Sequence, residues 1–239
     1  MRSLLFVPGD SPERFASAWR VGADAVVIDL ADAIPPQNKD EARKTVRSWL
    51  EATREEATRE EATPGEGAVW IRINPGELGH RDVHALVGQA VTGVCVAGTA
   101  SASQLAALAT VLAEAEEAHG LRLGSIAVAP VLDTAAAVLG AAEIARAPRV
   151  SRLQLGEAAL CDQLGVELGP DEREMHLARS LVVLASAAAG IEPPVAPLSP
   201  PGMSPDAFRS STEALRRLGF RGRACVDPRQ VAVVNEVFV

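Results

Sequence analysis

The sequence has few cysteines, and their spacing argues against two kinds of site. Only three occur in 239 residues, at Cys95, Cys161 and Cys225, and no two are close enough in sequence to form a metal-binding pair. No histidine lies near them in sequence to activate a nucleophilic thiol. We therefore expect three reduced and mostly buried thiols without a catalytic role.

Basic runs and long apolar runs are also absent. The chain has 23 Lys and Arg against 31 Asp and Glu, a net charge of -8, which argues against a nucleic-acid partner. The first apolar run ends at Val7, before Pro8 and Gly9, and is too short for a signal-peptide core or a membrane span. We expect a cytoplasmic protein with no membrane contact, whose partners are small molecules or other proteins.

Several catalytic motifs are missing too. The sequence contains no glycine-rich phosphate loop of the Walker or dinucleotide type and no serine in a nucleophile elbow. Its four histidines do not have metalloprotease spacing. The function must therefore be sought in another kind of site.

Eight short apolar runs alternate with helix-like segments along the whole chain. The runs are nearly continuous rather than alternating, which is typical of parallel strands that are covered by helices. Eight such units predict a TIM (β/α)8 barrel, with a doubly wound open sheet as the alternative. The predicted strands are residues 3–7, 25–30, 69–74, 93–97, 126–132, 152–156, 194–199 and 223–227.

We expect a single barrel domain over residues 1–239. One segment within it, residues 51–63, repeats a five-residue unit rich in Glu, Arg and Ala. Its high helix propensity and alternating charges predict a solvated helical extension without a function of its own.

Polar residues follow the predicted strands, and most of them are acidic. In a TIM barrel the carboxyl ends of the strands share one rim, so these residues are expected to lie on it. Clustered carboxylates need a balancing cation such as Mg²⁺, and an arginine can hold a substrate carboxylate or phosphate at two points. Acids at helix starts are also stabilised by the helix dipole, which leaves Asp133 and Glu157 open to a purely structural interpretation. The rim candidates are Asp29, Asp32, Arg72, Asn74, Asp133, Glu157 and Asp227.

Taken in order, several segments resemble the citrate lyase beta-subunit-like group of the HpcH/HpaI aldolase family. The opening "LFVPGD" followed by "GADAVVIDL" is fairly specific to that group, and the likeness covers nearly the whole chain. The other segments are "WIRIN", "LDTAAAVLGAAEIA" and "LGFRGRACVDPRQVAVVNEVF".

The resemblance implies a TIM barrel that assembles as a homotrimer or hexamer. It implies cleavage or formation of carbon–carbon bonds in small oxo- or hydroxy-acids or their thioesters with CoA or a carrier protein, with Mg²⁺ stabilising an enolate. Arg72 resembles the residue that grips the substrate carboxylate, and Pro8 and Gly9 of the opening motif join it as substrate-binding candidates. Asp29, Asp32 and Asp227 are the remaining catalytic candidates.

Several positions depart from the family pattern, and they are the chemical ones. The metal-ligand Glu of the fifth strand is Asp133 here, and the ligand Asp after the sixth strand is Ala159. Gly98 and Ala100 stand where a Lys and a Glu are usual, Ala31 replaces a Glu, and Asp227 replaces a His.

Glu157 lies two residues before Ala159, which in an extended segment keeps it on the same face. We therefore predict that Asp133 and Glu157 form a displaced, weaker Mg²⁺ pair. The predicted function is that of a carbon–carbon lyase acting on a small acid or its thioester. The alternatives are a catalytically degenerate paralogue that serves as a binding or scaffold subunit, and metal-independent chemistry on a related acid.

Overall fold

Eight parallel strands close into a barrel in the order of the chain. The computed structural model describes residues 1–58 and 68–239. The predicted TIM barrel is confirmed, and the alternative of an open doubly wound sheet is wrong because β8 pairs with β1. The strands are β1 Ser3–Pro8, β2 Ala25–Asp29, β3 Ala68–Ile73, β4 Gly93–Val96, β5 Ala127–Leu132, β6 Gln154–Leu155, β7 Val195–Ala196 and β8 Gly222–Cys225.

Helices follow the strands and pack on the outside of the barrel. The helices of the described residues are α1 Pro12–Arg20, α2 Lys39–Thr58, α3 Gly76–Leu86, α4 Ala102–Ala118, α5 Ala135–Leu139, α6 Ala141–Ile144, α7 Glu157–Leu164, α8 His176–Ala189, α9 Pro205–Leu218 and α10 Pro228–Val237. Short 3₁₀ helices at Pro36–Asn38 and Arg173–Met175 precede α2 and α8.

Two strands are much shorter than the sequence predicts. The apolar runs at 152–156 and 194–199 contain only two strand residues each, in β6 and β7. Arg152 and Gln154 interrupt the apolar run of β6, and two prolines interrupt that of β7. Proline supplies no N–H for a neighbouring strand, which limits the length of β7.

The hydrophobic core has two parts, because alternate strand residues face opposite sides of the barrel wall. The larger part fills the space between strands and helices, and the smaller part fills the barrel interior. On β2, Ala25 and Val27 face inward, and on β3 Trp70 does. The same alternation turns Asp29 and Arg72 inward at the carboxyl end of these two strands. Asp29 and Arg72 are paired in register, so their side chains lie side by side.

The low-complexity segment 51–63 is described only in part. Residues 51–58 form the last turns of α2, and residues 59–63 lie outside the described residues. The single-domain assignment for residues 1–239 stays a prediction.

The cysteines behave as the sequence predicts. Cys95, Cys161 and Cys225 are all buried and free of disulfides. Burial raises the pKa of the Cys95 thiol and of the Cys225 thiol to about 12, which makes both unreactive at neutral pH. In the part of the chain that the structure describes, every helix is too short or too polar to cross a bilayer.

The buried carboxylate of Glu116 lies at the amino-terminal end of the barrel strands and links α4 to the segment before β5. Glu116 of α4 accepts hydrogen bonds from the N–H groups of Gly124 and Ile126, both at 2.8 Å. The Arg149 guanidinium donates to both oxygens of Glu116, at 2.7 and 2.9 Å. Burial alone would raise the pKa of Glu116, but Arg149 and the two N–H groups outweigh it and lower the pKa to about 2.

This depressed pKa predicts a specific loss of stability in acid. A carboxyl whose pKa is lower in the folded chain than in the unfolded chain stabilises the fold when it is ionised. For Glu116 this contribution is complete above the unfolded pKa of about 4.3 and is lost as the pH falls toward 2. We expect Glu116→Gln to remove on the order of 3 kcal/mol at pH 7 and to flatten the decline of stability between pH 5 and 3. Urea unfolding at several pH values measures this. The exposed neighbour Glu117→Gln is the control, and equal slopes for the two variants would contradict the prediction.

Candidate active site

Arg72 is a cation at the carboxyl end of β3, on the rim of the barrel. Its Nη1 donates to Asp29 Oδ2 at 2.9 Å, and its Nη2 donates to Asp32 Oδ2 at 2.5 Å. Asp29 also accepts the N–H of Ala31 at 2.7 Å, so its carboxylate is held from two sides. Burial raises the pKa of Asp29 above its ordinary value, while Arg72 and the Ala31 N–H oppose that shift.

Pro8 and Gly9 lie beside this cluster. Pro8 is in register with Asp29, and the N–H of Gly9 donates to the Asp29 carbonyl at 2.9 Å. A Cβ on Gly9 would stand 2.7 Å from Leu30 Cδ2 and 3.1 Å from the Asp29 carbonyl oxygen. A side chain here would require Leu30 and the Asp29 backbone to shift, so glycine allows the loop after β1 to approach β2 this closely.

A buried lysine holds the loop after β2. Lys39 Nζ donates to the carbonyls of Leu30 and Ala31, both at 2.9 Å, and to Asn74 Oδ1 at 2.6 Å. Asn74 Nδ2 in turn donates to the Leu30 carbonyl and to Asp82 Oδ2. The ammonium of Lys39 thus donates all three protons to neutral oxygens and fixes the loop that carries Asp32.

Sequence reasoning missed Lys39 and Asp82. Both lie in charged stretches that are typical of a solvated helix face, yet both are buried. The position of Asn74 could have indicated these two residues, because Asn74 is a polar residue directly after a buried strand. Such a residue needs buried hydrogen-bond partners, and Lys39 and Asp82 supply them.

Asp133 lies on another part of the rim, directly after β5. Its Oδ2 accepts the N–H of Gly98 at 2.9 Å, which links it to the loop after β4. Its Oδ1 is buried and has no hydrogen-bond partner within the described part of the chain. Thr134, not Asp133, caps α5 by accepting the N–H of Ala137, so the helix-start interpretation does not account for Asp133.

Glu157 is bound by an arginine that sequence reasoning did not consider. It is the first residue of α7, and its Oε1 and Oε2 accept from Arg179 Nε and Nη2 of α8, at 2.9 and 2.8 Å. Arg179 Nη2 also donates to Glu172 at 2.7 Å, and Ser211 Oγ donates to Glu172 at 3.1 Å. Burial raises the pKa of Glu157, and the Arg179 guanidinium opposes that shift.

Asp227 follows β8 and is the N-cap residue of α10. Its carboxylate accepts the N–H of Arg229 and pairs with the Arg229 guanidinium at 2.5 Å. Arg229 lowers the pKa of Asp227, so this carboxyl stays ionised at neutral pH. The structure therefore gives Asp227 a helix-capping position, and its predicted catalytic role stays a prediction.

The structure brings part of the predicted site together. Pro8, Gly9, Asp29, Asp32 and Arg72 form one cluster on three adjacent strands. The predicted metal ligands do not form a comparable cluster. Among the described residues, no group of three or more His, Cys, Asp or Glu side chains is arranged to hold a metal ion.

The fit of Mg²⁺ to the predicted pair is incomplete. The unpartnered Oδ1 of Asp133 is the kind of oxygen that a hard cation takes. Both oxygens of Glu157 are engaged by Arg179, so Glu157 does not fit as the second ligand while that ion pair is intact.

A closed parallel barrel with an arginine and several carboxylates on its carboxyl rim defines a TIM barrel with an enzyme-like site for a small anion. The chain belongs to the HpcH/HpaI aldolase/citrate lyase family, whose profile matches residues 2–228. The family resemblance predicted from the sequence is confirmed. This is a family of carbon–carbon lyases and aldolases that act on small acids and CoA esters.

Three relatives illustrate the similarity. A citrate lyase subunit beta-like protein of Deinococcus radiodurans is 30% identical over 242 residues, which cover 100% of this chain and 80% of that protein. A (3S)-malyl-CoA thioesterase of Cereibacter sphaeroides is 28% identical over 239 residues, covering 99% of this chain and 76% of that protein. A structure of the citrate lyase beta subunit from Mycobacterium tuberculosis with oxaloacetate and magnesium matches with a TM-score of 0.78 and 26% identity, over 99% of this chain and 96% of that one.

Proposed function

We propose that this chain binds the carboxylate of a small oxo- or hydroxy-acid at Arg72 and cleaves or forms a carbon–carbon bond in that acid or its acyl thioester. The observation that carries the proposal is the inward-facing Arg72 guanidinium at the carboxyl rim, held in place by Asp29. A planar guanidinium matches a carboxylate in two-point geometry. The relatives support the substrate class, since one is named for malyl-CoA and another binds oxaloacetate.

The reaction requires a group that takes a proton from the substrate hydroxyl. When the carbon–carbon bond breaks, the hydroxyl becomes the carbonyl of the oxo-acid and the bonding electrons form an enolate, which is then protonated. Of the rim carboxyls, we assign this proton transfer to Asp29, because it lies beside Arg72, the proposed anchor of the acid, and burial raises its pKa above the ordinary value. Asp32 and Asp227 remain weaker candidates for the same role.

The residues of this chain fit a bound Mg²⁺ only in part. In the relative from M. tuberculosis, magnesium accompanies oxaloacetate. In this chain Asp133 offers one unpartnered oxygen, whereas Glu157 is held by Arg179. Binding of Mg²⁺ by Asp133 and Glu157 together would require the Glu157–Arg179 ion pair to open, and the Asp133–Glu157 pair stays a prediction.

A second candidate function is a binding or scaffold subunit without catalysis. The observation that favours it is the ion pair between Glu157 and Arg179, together with Ala159 where the family has an acid. Such a chain would still bind the acid at Arg72 but would not turn it over.

An assay of cleavage separates these functions. We expect the chain to release an oxo-acid from at least one member of a panel of malyl-, citryl- and methylmalyl-type thioesters and their free acids, each tested with Mg²⁺ and with a chelator. Release in the presence of the chelator would favour metal-independent chemistry. Binding of oxaloacetate without release from any substrate would favour the non-catalytic subunit, and absence of binding would contradict both functions.

The remaining partner predictions rest on the family. We propose a homotrimer or hexamer and a cytoplasmic location. Exposed leucines on α5, α7 and α8 support self-association, because α5 contacts both α7 and α8 and large exposed apolar patches mark interaction surfaces. They are Leu139, Leu164, Leu177 and Leu184. Sedimentation equilibrium tests the oligomeric state, and a monomer at micromolar concentration would contradict it.

A further inference from the structure

The two carboxylates on Arg72 are held very differently. Asp29 belongs to β2, its side chain is 11% exposed, and it has a second hydrogen bond from the Ala31 N–H. Asp32 lies in the loop after β2, and its side chain is 82% exposed. Among the residues that the structure describes, Arg72 is the one hydrogen-bond partner of the Asp32 carboxylate. Asp29 is therefore fixed, whereas Asp32 can leave at little cost to the fold.

The charges show why this difference affects binding. Arg72 brings one positive charge, and Asp29 and Asp32 bring two negative ones, so the three groups together are net negative. Lys39, the first residue of α2, contacts the same loop, but it donates all three protons to Leu30, Ala31 and Asn74. Asp29 and Asp32 take one N–H of Arg72 Nη1 and one of Nη2, so a carboxylate that approaches this edge of the guanidinium meets the excess negative charge until Asp32 moves away.

The backbone of the loop limits how Asp32 can move. The carbonyls of Leu30 and Ala31 are both bound by Lys39, and the N–H of Ala31 is bound by Asp29. The chain is thus fixed up to the residue before Asp32. Rotation of the Asp32 side chain is enough to free Arg72 Nη2, and the loop need not open.

We propose that Asp32 is an internal competitor for the substrate carboxylate. Its carboxylate occupies the Nη2 edge of Arg72 in the free protein, and a small oxo-acid binds by displacing it. Asp32 is thereby a residue that sets the affinity of the site for anionic acids. This inference rests on the proposed function, because it takes Arg72 as the anchor of the acid.

The expected effect follows from the strength of an exposed ion pair. Such a pair contributes up to about 1 kcal/mol, which corresponds to about a five-fold change in an equilibrium constant. Asp32→Asn keeps the size of the side chain and removes its charge. We expect Asp32→Asn to bind oxaloacetate about two- to five-fold more tightly than the unaltered chain, measured by isothermal titration calorimetry at low ionic strength with Mg²⁺ in the buffer.

Two further variants make the test specific. Asp10→Asn removes the same charge from an exposed position after the neighbouring strand β1, where the carboxylate accepts from Ser11 Oγ instead of Arg72. Its affinity for oxaloacetate should stay that of the unaltered chain. Arg72→Gln removes the anchor and should abolish most of the binding.

The outcomes distinguish displacement of Asp32 from binding of the acid at Arg72. If Arg72→Gln loses binding while Asp32→Asn binds no more tightly than the unaltered chain, displacement of Asp32 is overturned and the proposed function stands. An equal gain in Asp10→Asn would mean general repulsion and would also overturn the displacement. If Arg72→Gln binds as well as the unaltered chain, or if neither the unaltered chain nor Asp32→Asn binds, the proposed function itself is overturned.

Discussion

Arg179→Met should lower the free energy of unfolding by about 3–5 kcal/mol, because two buried carboxylates lose the cation they share. Glu157 would lose both of its hydrogen bonds, and Glu172 would keep only those from Ser211. Methionine fills much of the same space without a charge, so the loss reports the ion pairs and not a cavity. Urea unfolding at constant ionic strength measures it.

The pH dependence of this loss identifies its cause. Without Arg179, burial raises the pKa of Glu157 further above its unfolded value. A carboxyl with a raised pKa favours the folded chain at low pH and opposes it as pH rises. The destabilisation should therefore be larger at pH 8 than at pH 5.

An exposed ion pair provides the control for this prediction. Arg209→Met breaks the Arg209–Glu236 pair, whose side chains are 44% and 62% exposed. It should change the free energy of unfolding far less than Arg179→Met does, with little dependence on pH, because an exposed ion pair is screened by solvent. Similar losses for the two variants would show that the cluster around Arg179 contributes no more than a surface pair.

The barrel and the part of the rim around Arg72 were predictable, because both depend on the order of the strands along the chain. Continuous apolar runs identify parallel strands, and the carboxyl ends of parallel strands share one rim. Both Asp29 and Arg72 were expected on that rim because each follows a buried apolar run. Strands β2 and β3 are consecutive, and their register places the two side chains side by side.

The ion pair of Glu157 with Arg179 was not predictable from the order of the strands. Its partner Arg179 is 22 residues further along the chain, and their meeting depends on how α8 packs beside α7. A signal did exist: Arg179 is the single Arg or Lys in α8, a helix of 14 residues that is otherwise mostly apolar. A lone cation on such a helix is buried only with a carboxylate partner, and Glu157 and Glu172 are those partners.

Arg72→Gln should weaken the binding of oxaloacetate on the order of 100-fold. Hydrogen bonds from a charged donor contribute about 1.5–3 kcal/mol each, and loss of the two-point contact therefore costs two orders of magnitude or more. Glutamine is the substitute of choice because its amide can still donate to Asp29, which limits the cost of leaving that buried carboxylate without a partner. Isothermal titration calorimetry measures the change in affinity, and thermal unfolding verifies that the variant is folded.

Two comparisons show whether this loss belongs to the guanidinium of Arg72. Arg72→Lys keeps the positive charge but not the planar pair of donors, so it should recover only part of the affinity. Arg14→Gln removes an arginine from the first turn of α1 at the same rim and should leave the affinity unchanged. Full recovery in Arg72→Lys would mean that charge alone holds the acid. An equal loss of affinity in Arg14→Gln and Arg72→Gln would show that the affinity depends on the total positive charge of the rim. Arg72 would then not be the anchor of the acid.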